Sequence, residues 1–129
     1  MGLGHALVKM GYKYGSEEGN AQVDKIMKFI KERAYEASTF LAVERGPFEA
    51  YNENFLTSGF VKTLPRRIKQ NIREHGVRNC ALLTIAPTGT TSMVMGTSSG
   101  IEPIFAPGYI RRYYDSDNKS NDRILKEEI

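Results

Sequence analysis

Residues 80–103 read "CALLTIAPTGTTSMVMGTSSGIEP", and two unlike halves meet inside that stretch. The first, Cys80–Ala86, is mostly apolar and β-compatible, with Gly76 before it and Pro87 after it. A short apolar run between breakers predicts a strand buried on both faces. From Ala86 to Pro103 the character inverts: three Gly, three Ser, four Thr and two Pro, with Glu102 the single charge. A strand, then Pro-Thr-Gly-Thr-Thr-Ser, then one or two turns of helix over 91–95 is an order that favours anions. The start of a helix carries unpaired N–H groups and a partial positive charge. Glycine lets backbone amides come close to a phosphate, and Thr and Ser add hydroxyl donors. No lysine lies in the loop, so it is not the G-K-[ST] form of nucleotide loop. The same residues would also make an ordinary capped turn between a strand and a helix, and the residues alone leave both readings open.

Outward from this stretch the chain reads as mostly helical. Residues 3–10 predict a short helix ending near Gly11, with Leu3, Leu7 and Met10 on one face. Ser16 followed by Glu17, Glu18 and Gln22 suits a helix start. Val23, Ile26, Met27, Ile30, Ala34, Ala37 and Leu41 then recur at helical spacing up to Glu44, a stripe expected to pack into the core. Gly46-Pro47 ends it. Residues 48–61, "FEAYNENFLTSGFV", lack a sustained period and predict a packed loop. Leu64, Ile68 and Ile72 mark a second amphipathic helix over 65–75, with Pro65 near its first turn. "GYIRRYY", 108–114, predicts a second strand, and "DSDNKSNDRILKEEI", 115–129, a polar tail frayed until its end. The sum is a mixed α+β chain, with two long helices, about two strands and no internal repeat. The domain boundary falls near 115, leaving 116–129 as tail.

The chain has 129 residues, enough for one domain, and that length buries roughly two-thirds of the unfolded surface. At 40% hydrophobic and 26% charged it has the composition of a soluble globular protein. A net charge of +3 falls short of a dedicated nucleic-acid binder. One cysteine, Cys80, excludes an intrachain disulfide and a cysteine metal cluster, and a reducing compartment is expected. Cys80 lies within the apolar run and is expected to be a buried structural thiol. No apolar run reaches the ~18 residues that cross a bilayer. "MGLGHALVKMG" lacks a basic segment before an apolar one, and Ala6 stands where myristoylation wants Ser or Thr. The cytoplasm is the expected location. His5 and His75 stand alone, without ligand spacing, and no metal is expected at either. Lys62, Arg66, Arg67, Lys69 and Arg73 give one helix a basic face. A solvated face is the expected account, ahead of nucleic acid, because no aromatic platform interleaves it.

"LLTIAPTGTTSMVMGTSSGIEPIFAPGYIRR" closely resembles the C-terminal part of the catalytic domain of ribonucleotide reductase large subunits, the adenosylcobalamin-dependent class most of all. "APTGT", a Ser two residues on, "SGIEPIFA" and "Y-x-RR" occur together and in order. "GLG…LVKMGYKYGSEE" and "FLTSGFVKTLP" resemble the same region, so the likeness covers roughly residues 1–113. It implies a piece of a ten-stranded α/β barrel built from two five-stranded halves. It also implies that Thr88, Gly89, Thr90 and Thr91 contact the phosphates of a ribonucleotide, with Ser92 as helix cap or further ligand.

The family removes the ribose 2′-hydroxyl by radical chemistry, with a thiyl radical on one cysteine, two more cysteines as reductants, and an N-x-C-x-E pattern. Here Asn79 and Cys80 are adjacent, no Glu stands two residues on, and no second cysteine exists. Catalytic residues are therefore not expected in this chain. Adenosylcobalamin would serve the intact enzyme, and none is expected to bind this chain alone. Tyr113-Tyr114 is not matched to the radical-carrying tyrosine pair of oxygen-dependent reductases, which lies far beyond "GIEP". Expected partners are the substrate phosphates and either the rest of the reductase or a second copy in a homodimer, with no membrane and no nucleic acid. Two rival readings use the same residues: a stand-alone nucleotide- or partner-binding protein built from this fold piece, and a small nucleic-acid-binding domain using the basic helix.

Overall fold

The structure is a computed structural model that describes residues 1–104 and 106 in full and the backbone of 108–113 and 123–128. Its elements are helices α1 (Leu3–Lys9), α2 (Glu17–Arg45), α3 (Gly59–Lys62), α4 (Arg66–His75) and α5 (Gly89–Val94), and strands β1 (Gly108–Tyr113) and β2 (Arg123–Glu128). The chain divides into two compact units, one of Met1–Gly19 with Ile85–Ile129, the other of Asn20–Thr84.

The unit 20–84 is built on α4. Its Ile68 and Ile72 are fully buried, Leu64 is buried just ahead of it, and Tyr35, Val61 and Val77 complete the cluster. Phe48, Tyr51 and Phe55 close one side, with ring centroids 5.7–5.8 Å apart in edge-on and tilted pairs. The Tyr51 hydroxyl donates to the Ile72 carbonyl at 2.7 Å. Residues 48–61 thus pack as expected but are not irregular. They hold a 3-10 turn, Glu53–Thr57, and the one-turn α3. The Asn52 and Ser58 side chains cap these by accepting from the Asn54 and Val61 amides. Short caps of this kind leave no apolar period to read.

Helix α2 begins where Ser16 accepts from the Gly19 amide at 3.1 Å. The face it turns to the core is Tyr35, Ser38, Thr39 and Ala42, all buried. This corrects the expected stripe. Ile30 and Leu41 are 43% and 37% exposed, Ala37 is exposed, and Val23, Ile26, Met27 and Ala34 are half-buried. Phe29, Phe40 and Val43 are more than 60% exposed. Apolar side chains thus lie on most sides of this helix, interspersed with charged ones. Ser38 holds α2 to the chain after α4. Its hydroxyl donates to Asn79 Oδ1 at 3.0 Å and accepts the Asn79 amide at 3.1 Å, while its carbonyl accepts the Arg78 amide at 3.0 Å.

The expected strand at Cys80–Ala86 is not formed. Leu82 packs against the cluster, but Leu83 and Ile85 are 51% and 65% exposed. A strand meant for burial on both faces needs neighbours, and no strand runs beside it among the described residues. Cys80 is accordingly exposed, not the buried thiol expected.

In the other unit, α1 docks on the loop after α5. The Gly2 amide donates to the Ser98 carbonyl at 2.8 Å and the His5 amide to Ser98 Oγ at 3.1 Å. A Cβ on Gly4 would stand 2.5 Å from the Glu102 carbonyl oxygen, so the close approach requires glycine there. The segment 108–113 is a strand, paired antiparallel with β2 in the register Gly108↔Glu128 to Tyr113↔Arg123. The end of the expected tail thus pairs with β1 through its backbone. Tyr114 and residues 115–122 lie outside the described residues.

Candidate functional site

Pro87 turns the chain out of the 80–86 segment, and Thr88 follows at φ 48°, ψ 29°. It is the one non-glycine residue at positive φ among those described. A β-branched residue in that region costs on the order of 1–3 kcal/mol and persists only where its surroundings impose it. Two bonds do so. Thr88 Oγ1 accepts the Gly100 amide at 2.8 Å, and the Thr88 carbonyl accepts the Ser92 amide at 2.9 Å. The second bond is the first turn of α5, so the strained residue sets the direction in which the helix starts.

At that start no side chain caps the helix. The amides of Gly89, Thr90 and Thr91 have no acceptor among the described residues, as the first turn of any helix leaves them. All three residues are exposed, and Thr88 is half-buried. A Cβ on Gly89 would meet nothing within 4 Å. Packing within the chain therefore does not demand glycine there. What its small size provides is an unobstructed path to three adjacent N–H groups.

Ser92 differs from its expected place. It is the fourth residue of α5 rather than its cap, and it is 2% exposed. Its hydroxyl lies 2.9 Å from the Gly89 carbonyl, to which it donates, and 2.7 Å from Ser99 Oγ. Its carbonyl accepts the Thr97 amide at 3.0 Å. Ser92 thus fixes the helix against the 97–100 loop from beneath, while Thr88, Gly89, Thr90 and Thr91 stay at the surface. Ser99 and Gly100 are the supports that the sequence reading did not single out. Their signal was the "TSSG" that follows the helix, where Gly100 takes φ +44°.

The arrangement supplies neutral donors, three amides at a helix start with the exposed Thr90 and Thr91 beside them. Such a set favours an anion through oriented dipoles without a formal positive charge. Between residues 86 and 103 the only ionisable side chain is Glu102. Its carboxylate curls over Gly100, where an added Cβ would meet Oε2. His5 Nδ1 is 3.3 Å from Thr97 Oγ1, and His75 Nε2 is 3.9 Å from the Glu74 carboxylate. The two histidines belong to different units.

The family described as "Ribonucleotide reductase, barrel domain" matches residues 1–129. Among curated proteins, the chain is similar to the vitamin B12-dependent ribonucleoside-diphosphate reductase of Mycobacterium tuberculosis, with 35% identity over 98% of this chain and 17% of that protein. It is 37% identical to the enzyme of the same description from Thermoplasma acidophilum, over 86% of this chain and 13% of that protein. It is 31% identical to the ribonucleoside-diphosphate reductase subunit alpha of Treponema pallidum, over 92% of this chain and 14% of that protein. The chain thus spans between 13% and 17% of the length of these relatives.

Proposed function

Because this chain belongs to the ribonucleotide reductase barrel-domain family, we propose that it is the part of a vitamin B12-dependent ribonucleotide reductase that holds the phosphates of the ribonucleotide substrate. The observation that supports this reading is the set of unpartnered amides at Gly89, Thr90 and Thr91, aimed by the strained turn at Thr88. Those amides and the hydroxyls of Thr90 and Thr91 would donate hydrogen bonds to the terminal phosphate oxygens. Thr88 contributes its backbone turn and Ser92 the buried support. Binding the phosphates, which take no part in the chemistry, fixes the ribose relative to the reacting groups. This is how remote binding energy is used for orientation.

Reduction of the 2′-carbon requires two electrons, which a pair of thiols can deliver by closing a disulfide. This chain has one cysteine, so the redox step is assigned to residues of a longer reductase. A corrin needs a broad, largely apolar bed, and the concavity beside α4, about 470 Å³ and lined by four cations, is not one. No residue here is assigned to the cofactor.

Titration of the 129-residue chain with a ribonucleoside diphosphate, followed at the backbone amides of residues 89–91, tests the loop. Gly89→Val places a branched side chain in front of the three amides without touching any neighbour in the chain. The expected result is loss of binding by at least tenfold with thermal unfolding within about 0.5 kcal/mol of wild type, the range of an exposed substitution. Equal binding by wild type and variant would refute the site.

A further inference from the structure

Helix α4 gathers cations that have no carboxylate partner among the described residues. Arg73 and, in α3, Lys62 stand in last turns, where the dipole favours a cation, and Lys69 Nζ donates to the Lys62 carbonyl at 3.4 Å, but nothing of the kind offsets Arg66. Arg66, Lys69 and Arg73 follow one another at spacings of three and four, and Lys62 stands just ahead in α3. These four line one cavity of about 470 Å³ with Leu56 at its wall. Like charges three and four residues apart repel. Cations in the first turn, as Arg66 is, oppose the helix dipole, and no acidic residue lies in that turn. Among the described residues no carboxylate comes within ion-pair distance of any of the four. The neighbouring Arg67 shows the contrast, since it is paired with Glu36 of α2. Glu74, the acidic residue on the cavity wall, is held by Gln70, whose Nε2 donates to Oε1 at 3.0 Å.

We propose that this cavity is a second anion site, separate from the loop at 88–91, which takes a compact oligophosphate carrying three or more negative charges. The volume is that of a small-ligand pocket. Side chains converging on a concavity suit a compact anion better than an extended strand. No aromatic residue lines the cavity to stack a base, which sets nucleic acid second. The site does not depend on the substrate-loop reading, and its position on α4 puts it in the other unit.

The test is titration of the chain with inorganic triphosphate in a Gly89→Val background, which removes the loop's contribution, followed through the backbone amides of 62–74. One-to-one saturation with shifts at those amides is expected. Arg66→Gln with Arg73→Gln should lower the affinity at least tenfold while the unliganded double variant unfolds at an equal or higher temperature, because repulsion is relieved. Lys25→Gln, on α2 and outside the cavity, should bind as the Gly89→Val chain does. Absence of saturable binding would overturn the proposal, as would an equal loss in Lys25→Gln. Tighter binding of a 12-nucleotide single-stranded DNA than of triphosphate at 150 mM salt would also overturn it, in favour of nucleic acid.

Discussion

Thr88 joins backbone strain to the geometry of the loop at the scale of one residue. Its left-handed backbone is imposed by the bond from the Gly100 amide to its hydroxyl and by the start of α5. Thr88→Ala keeps the Cβ, and with it the backbone strain, but removes the acceptor for the buried Gly100 amide. The expected loss is about 1–3 kcal/mol in thermal unfolding, the cost of an orphaned buried donor. Binding of a ribonucleoside diphosphate should weaken with it, since the turn that aims the amides is released. The turn and the helix start that follows it were legible in Pro-Thr-Gly-Thr-Thr. The burial of Ser92 was not, because it depends on Ser99, seven residues away, folding back beneath the helix. The exposure of Cys80 was missed for a related reason: an apolar neighbourhood in sequence stands in for burial only where a sheet forms.

At the scale of elements, helix limits were read closely and faces less well. Leu64, Ile68 and Ile72 lie on the core side of α4, whose other face is strongly polar. In α2 apolar residues lie on most sides, so periodicity did not identify which side the described structure covers. The side is chosen by Tyr35, Ser38, Thr39 and Ala42, small or amphipathic residues that carry little weight in an apolar count. Helices α2 and α4 are also joined electrostatically. Glu36 pairs with Arg67, and with Arg33 at 2.6 Å. The hydrogen bond from Arg67, aided by the charge of Arg33, holds the Glu36 carboxyl below its ordinary range. A lowered folded-state pKa contributes stability above the unfolded value of about 4.3 and loses it as pH falls through the lower folded value. Glu36→Gln should therefore unfold at a lower temperature than wild type at pH 7. The two curves should converge only as pH falls through the lowered folded-state value, where wild-type Glu36 is protonated as well. The difference should be small and reduced by salt, since both arginines are more than half exposed. A difference that persists unchanged down to pH 2 would remove the ion pair from the account.

At the scale of the whole molecule, the exposed apolar residues of α2 and of the 80–86 segment point one way. Phe29, Phe40 and Val43 on the helix, with Leu83 and Ile85 after α4, are surfaces that a larger barrel would enclose. Isolated at increasing concentration, the chain is expected to self-associate, a symmetric dimer being the commonest closed form. Phe29→Glu with Phe40→Glu should shift light scattering toward monomer. A monomer at every concentration in the wild type would favour a stand-alone protein over a piece of a reductase. The account rests most directly on the loop, and the amide resonances of the whole chain, followed while a ribonucleoside diphosphate is titrated in, test it. The largest shifts are predicted at Gly89, Thr90 and Thr91, with a smaller one at Gly100 through its bond to Thr88. Resonances at those amides that stay in place at saturation, with every change confined to 62–74, would contradict it.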